Sequence, residues 1–266
     1  MKQRMSTPFV LRYGPWAVVA GASEGLGAAF AEALAARGMN LLLLARRAEL
    51  LAEVKERLSV TSTVEVRTAA CDLAQADLAV VLEGLTRDLE VGLAIYNAAY
   101  APIGPVLSRS TDELLRVIDV NVRGPLVFAR TMAPAMVARG RGGLALMSSL
   151  AGFQGAPRIA TYAASKAFNI VLGEGLWSEL SPAGVDVLVS CAGAIRTPGY
   201  ARSSIKGDAP GTLDASVVAE KTLNSLGRGP TVVPGATNQL ARFFLGRLLP
   251  RRAAIAIMAK NTKDLS

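Results

Sequence analysis

The feature that most constrains this chain is an alternation. Short runs that are apolar throughout are separated by stretches with helical periodicity. The runs are Trp16–Ala20, Asn40–Ala45, Thr63–Ala69, Val91–Tyr96, Gly142–Ser148, Val185–Ser190 and Thr231–Val233. Between them, Glu24–Arg37, Arg47–Leu58, Ala74–Leu89, Asp112–Ala138, Thr161–Leu180 and Leu213–Leu226 read as helices, the last capped by Thr212 or Asp214. Strands without a polar face must be covered on both sides, and crossover helices are what cover a parallel sheet. The pattern predicts an α/β fold of Rossmann type: a doubly wound, seven-stranded parallel sheet with helices on both faces. No linker or repeat divides the 266 residues, so a single domain is expected, with a core over 14–235. Residues 1–13 form a basic N-terminal extension and residues 236–266 a basic amphipathic C-terminal one.

Composition removes several chemistries. The chain has no histidine, so it has no His-based triad, no His general base and no His-ligated metal site; no metal is expected. Two cysteines, Cys71 and Cys191, make no disulfide framework and fit a reducing compartment. The net charge of +8 suggests a polyanionic partner until it is located: residues 14–241 hold 20 bases and 20 acids, so the excess lies at the two ends. Nucleic acid is therefore not expected as a partner. No run reaches the length of a membrane span, and the start lacks the apolar core of a signal peptide, so a cytoplasmic location is expected.

The first apolar run leads directly into Gly21-Ala22-Ser23-Glu24-Gly25-Leu26-Gly27 and then a helix. Glycines at a strand-to-helix turn let backbone approach a pyrophosphate, and the helix N-terminus favours its charge. Gly21, Ser23, Gly25, Leu26 and Gly27 are the expected contacts. The second run ends Ala45-Arg46-Arg47, with arginines where a ribose 2′-hydroxyl would need a carboxylate. Arg46 and Arg47 suit a 2′-phosphate, so NADP(H) is the expected cofactor. Glu24 is a counter-signal, because an acid in this loop repels phosphate.

Further motifs follow in order: Cys71-Asp72-Leu73, Asn97-Ala98-Ala99, Asn121 within Val120-Asn121-Val122, Ser148-Ser149, Tyr162-Ala-Ala-Ser-Lys166, and Gly193-Ala194-Ile195-Arg196-Thr197. From Trp16 to Val233 the chain resembles the short-chain dehydrogenase/reductase family. The resemblance implies a catalytic set of Asn121, Ser149, Tyr162 and Lys166. Tyr162 would be the general acid in ketone reduction or the base in alcohol oxidation, and Ser149 would donate to the substrate oxygen. Lys166, one helical turn from Tyr162, would lower the phenol pKa and hold the nicotinamide ribose. Asn121 would hold a water relaying protons from Lys166. Asp72 and Leu73 would contact adenine, Asn97 and Ala98 would form the turn beside the cofactor, and Ile195 and Thr197 would orient the nicotinamide amide. The family's usual assemblies imply a homo-oligomer, dimer or tetramer.

Four positions depart from the family pattern: Ala20, Tyr96, Ala99 and Ala192. A side chain at Ala99 would narrow the cleft if that backbone needed a positive φ. Residues 198–211 read as a lid over the substrate, and Phe153, Pro157 and Ile159 as its opposite wall. They suggest a small-molecule ketone or alcohol with a sizeable apolar group: 3-oxoacyl, polyketide-like or steroid-like. Beyond Val233, Leu240, Phe243, Phe244, Leu248 and Leu249 recur at helical spacing among arginines, with Pro250 dividing the segment. This face packs on the domain or a second subunit, or it touches a membrane surface. A non-catalytic NADP(H)-binding regulatory module is the alternative to an NADP(H)-dependent carbonyl reductase. Such a module would be expected to lose Ser149, Tyr162 or Lys166, and all three are present.

Overall fold

The computed structural model describes residues 8–203 and 207–263. Lys2, Arg4 and Asp264 therefore lie outside the described residues, as does part of the expected lid. Seven parallel strands form one sheet in the order β3-β2-β1-β4-β5-β6-β9. They are β1 Trp16–Ala20, β2 Asn40–Ala45, β3 Val66–Ala70, β4 Val91–Tyr96, β5 Gly142–Ser149, β6 Val185–Ala192 and β9 Thr231–Val232. A separate pair, β7 Ile195–Arg196 and β8 Leu213–Asp214, also runs parallel.

Alternation within the strands builds two cores. Ala17, Val19, Leu41, Leu43, Leu93 and Ile95 point to one face, where they meet α2 Gly25–Ala36, α3 Ala48–Thr61 and α9 Ala215–Leu223. Val18, Leu42, Leu44, Ala94 and Tyr96 point to the other, against α4 Leu78–Thr86, α6 Gly124–Arg139 and α7 Ala160–Leu180. The sheet is thus buried on both faces, as uniformly apolar strands require. Strand order reverses between β1 and β4, and ligands of doubly wound sheets bind beyond the carboxyl ends of the strands at such a point.

Three elements differ from expectation. β3 starts three residues late and, after buried Val66, alternates partly exposed with exposed positions, because it is an edge strand. The long helix expected over 112–138 is two helices, α5 Thr111–Ile118 and α6, joined by a π-turn at Asp119–Arg123. Pro125 has no N–H for the Asn121 carbonyl, so an α-helical ladder cannot run through this point. Finally, Asp214 stands at the N-cap of α9 without capping it, since its carboxylate takes Arg196 Nη1 at 2.7 Å.

Among the described residues, the N-terminal helix is tied to the domain. In α1 (Pro8–Tyr13), the Arg12 Nε and the Tyr13 hydroxyl both donate to Asp186 at 2.6 Å. The C-terminal arm consists of α10 Ala236–Phe243, a π-turn at Phe244–Leu248, and α11 Arg251–Thr262 starting behind Pro250. No helix among the described residues is long and apolar enough to cross a membrane.

Candidate active site and cofactor cleft

The Gly-rich loop leaves β1 and closes against β4 because it has no side chains in the way. Gly21 has φ +85, and a Cβ there would sit 2.6 Å from the Ala98 nitrogen. A Cβ on Gly27 would lie 1.9 Å from the Gly21 carbonyl oxygen, so α2 can start this close only with glycine. Asn97 and Ala98 both donate backbone N–H groups to Ala20 O at 2.9 Å, and Asn97 Nδ2 donates to Gly21 O at 2.8 Å. Loop and turn are therefore one unit. It presents the first amides of α2, among them those of Gly25, Leu26 and Gly27, which an α-helix leaves without partners and which suit a pyrophosphate. The Leu26 side chain itself is in the core.

Around this cradle the charges are arranged in pairs. Arg47 donates to Glu24 Oε1 at 2.8 Å and to Ser23 Oγ at 3.4 Å, and Arg202 reaches the same Glu24 oxygen at 2.9 Å. The acid expected to repel phosphate is thus neutralised; burial opposes its ionisation, but the two arginines hold the Glu24 carboxyl below its usual range. Arg47, expected on the 2′-phosphate, is engaged here, while Arg46 is exposed and forms no ion pair among the described residues. Asp72 accepts from Ala74 N at 3.0 Å and from Arg116 at 2.8 Å. Against the effect of burial, these bonds and the charge of Arg46 keep its carboxyl low. Leu73 beside it is buried.

The catalytic candidates converge at the ends of β5 and α7. Ser149 ends β5 and accepts from Ala151 N at 3.2 Å, and its hydroxyl is near enough to the Tyr162 phenol to favour its ionisation. Ser148 Oγ donates to Lys166 O at 2.8 Å, pinning α7 to the same strand. Lys166 is 3% exposed; its Nζ donates to Met147 O at 2.8 Å and lies 5.5 Å from the Tyr162 ring centre. Burial brings the Lys166 ammonium down to about 8. Burial raises Tyr162, the Ser149 hydroxyl offsets it only partly, and the lysine is turned to a carbonyl. Tyr162 is thus held in its acid form.

Asn121 is fully buried in the π-turn, and its amide is saturated. Its Oδ1 accepts from Tyr100 N at 2.8 Å, and its Nδ2 donates to Tyr100 O at 2.9 Å and Ser165 Oγ at 3.0 Å. The side chain braces α7 and the loop after β4. Tyr96 donates to Val120 O at 2.5 Å, satisfying a carbonyl in the π-turn. Sequence reasoning treated Tyr96 only as a departure and overlooked Tyr100, Ser148 and Ser165, whose partners lie 18 or more residues away. Ala99 has no positive φ, so its side chain strains nothing.

The substrate side is partly as expected. Thr197 packs on Gly25, and its Oγ1 caps α8 Pro198–Ser203 by accepting from Tyr200 N at 3.1 Å. Ile195 lies in β7. Arg196, Thr197, Tyr200 and Asp208 line a cavity of about 490 Å³ under the segment expected as a lid. Residues 204–206 of that segment lie outside the described residues. Ile159 packs beside Tyr162, but Pro157 faces a different cavity of about 430 Å³, behind α7 and under Arg251 and Ile255.

Comparisons with known proteins show the family. The family model for short chain dehydrogenases matches residues 15–206. The very-long-chain 3-oxoacyl-CoA reductase of Podospora anserina is 38% identical over 69% of this chain, which spans only 56% of that relative's length. The 7beta-hydroxysteroid dehydrogenase of Clostridium sardiniense is 31% identical, covering 86% of this chain and 88% of its own. A solved 7beta-hydroxysteroid dehydrogenase structure superposes with a TM-score of 0.89 at 27% identity, over 95% of this chain and 99% of that one. The chain belongs to the short-chain dehydrogenase/reductase family of NAD(P)(H)-dependent oxidoreductases.

Proposed function

We propose that the protein is an NADP(H)-dependent reductase of ketones that carry a sizeable apolar group, whether 3-oxoacyl, polyketide-like or steroid-like. Residues 14–235 would act as one catalytic unit in a cytoplasmic homo-oligomer. The observation that carries the reading is the convergence of Ser149 at the end of β5 with the protonated Tyr162 phenol and a buried Lys166 ammonium one turn away. The cofactor would supply hydride to the carbonyl carbon. The Gly-rich loop and the α2 amides would hold its pyrophosphate, Asp72 and Leu73 its adenine, and Ile195 and Thr197 its amide. Exposed Arg46, with no acid at the end of β2, supports a 2′-phosphate and hence NADP(H).

During reduction, Ser149 donates to the substrate oxygen as negative charge develops on it. Tyr162 gives up its proton, and the Lys166 ammonium stabilises the phenolate that forms. Since the Asn121 side chain is saturated, a relay through this residue would run by its main-chain carbonyl. Near-full coverage by 7beta-hydroxysteroid dehydrogenases favours a rigid polycyclic ketone as the first substrate to test. The test is oxidation of NADPH and of NADH against 7-oxo steroids, 3-oxoacyl thioesters and bulky cyclic ketones. Turnover with NADPH in preference to NADH is expected, and Tyr162→Phe should lower it by about 1,000-fold or more with NADPH binding kept. Unchanged turnover in that variant would overturn the mechanism.

A further inference from the structure

We propose that the outward face of α10 and its following turn docks on a membrane surface rich in anionic lipid. The helix is inside out. Its one buried residue is polar: Asn238 faces the protein and donates to Gly211 O at 3.1 Å and Pro234 O at 3.0 Å, while Gln239, exposed at the flank, reaches back to Val233 O at 2.9 Å. Arg242 lies over the Phe153 ring at 4.4 Å. The apolar positions face away, with Leu240, Phe243 and Phe244 exposed by 57%, 50% and 47%, and Leu248 beyond them by 58%. An amphipathic helix normally buries its apolar stripe. Here that stripe is left for a partner outside the chain.

Charge identifies the partner. Between 236 and 263 the chain has six bases and no acid, while residues 14–241 are balanced. Arg247, Arg251 and Arg252 are exposed around the apolar stripe. A second copy meeting this surface through a two-fold axis would set cation against cation. A nucleic acid would answer the charge but leave leucine and phenylalanine uncovered. A bilayer interface with anionic headgroups supplies both kinds of contact. The arm is also held firmly enough to orient the molecule: Met258 of α11 packs on the cluster of Ala151, Ala156 and Ala163.

Docking there would place the catalytic cleft at the lipid surface. Asn238 grips Gly211, at the end of the segment after α8, and Arg242 grips Phe153, four residues past Ser149. Both rims of the substrate opening are thus tied to the docking helix. A lipophilic ketone dissolved in the bilayer would meet the opening directly; this last step rests on the reductase reading above.

The full chain is tested by co-flotation with vesicles of phosphatidylcholine alone and of phosphatidylcholine with phosphatidylglycerol, without substrate. Binding to the anionic vesicles, weakened by salt, is expected. Phe243→Ser with Phe244→Ser, and separately Arg247→Gln with Arg252→Gln, should each reduce partitioning by about tenfold or more, with circular dichroism and NADPH binding retained. Absence of binding to anionic vesicles at low salt would overturn the proposal. So would binding of both double variants equal to that of the wild type, or a dimer of the wild type that both double variants abolish. Because no turnover is read, failure to find a ketone substrate leaves docking intact. Ketone reduction without vesicle binding overturns docking alone.

Discussion

Lys166 is where function and stability conflict most directly. A nearly fully buried ammonium with one carbonyl partner is costly, and its fall to about 8 from the reference value near 10.5 amounts to roughly 3 kcal/mol against the charged folded form. The sign follows from proton binding. Between pH 8 and 10.5 the unfolded chain holds more protons at this residue than the folded one, so stability rises with pH across that window. Below it the full cost applies. Lys166→Met is therefore expected to raise the unfolding free energy at pH 7 by about 2 kcal/mol while removing turnover. Chemical denaturation with parallel assays checks this, and a loss of stability would refute it. The Tyr162–Lys166 pair was legible in the sequence because a helix places residues four apart on one face. The turn of Lys166 toward Met147 was not, because its partner lies on β5 and no local pattern encodes it. Glu24 is a similar case: read alone it opposes phosphate, and the arginine that completes its neutralisation lies 178 residues away.

At the scale of elements, the break between α5 and α6 positions the site. The sequence contains its cause, since Pro125 falls in the middle of the expected helix over 112–138, but the apolar periodicity runs on past it and hides the break. Tyr96 completes the device from β4 by donating to the Val120 carbonyl, and a Cβ on Gly124 would lie 2.1 Å from its hydroxyl. The family departure at this position is thus matched by a glycine opposite it. Tyr96→Phe keeps the edge-on contact with Phe128, 5.4 Å between ring centres, and removes only the hydrogen bond. It should cost about 1–3 kcal/mol, the penalty of a buried polar group left without a partner. Turnover should fall several-fold with KM for NADPH unchanged, since Asn121 is displaced and the Gly-rich loop is not. A proportional rise in KM would place Tyr96 in the cofactor cleft instead. The strands, their parallel sheet and the Gly-rich turn were readable because uniformly apolar runs and a Gly-rich turn have few structural solutions. Helix direction was not: periodicity showed that α10 has an apolar face, without showing that the face points outward.

Two apolar faces among the described residues differ in charge, and the difference separates their roles. The arm's face is ringed by arginines and suits an anionic surface. The other lies on α5 and α7, which pack against each other and expose Leu115 by 54%, Ile118 by 40%, Val171 by 69% and Trp177 by 38%. This second face belongs to the charge-balanced body, so two copies can meet there without accumulating like charge. It is the surface that fits the proposed homo-oligomer. A carboxylate introduced at its centre would appear twice in a two-fold contact and would have to be desolvated each time. Val171→Asp is therefore expected to shift the mass measured by light scattering from a multiple of the chain mass toward the monomer. Position 171 is exposed in the isolated chain, so folding should be unaffected. The same variant should bind anionic vesicles through the arm, with any weakening limited to the loss of bivalent attachment. An unchanged mass would remove α5 and α7 from the subunit contact, whereas abolished vesicle binding by the folded monomer would mean that the two faces form one surface.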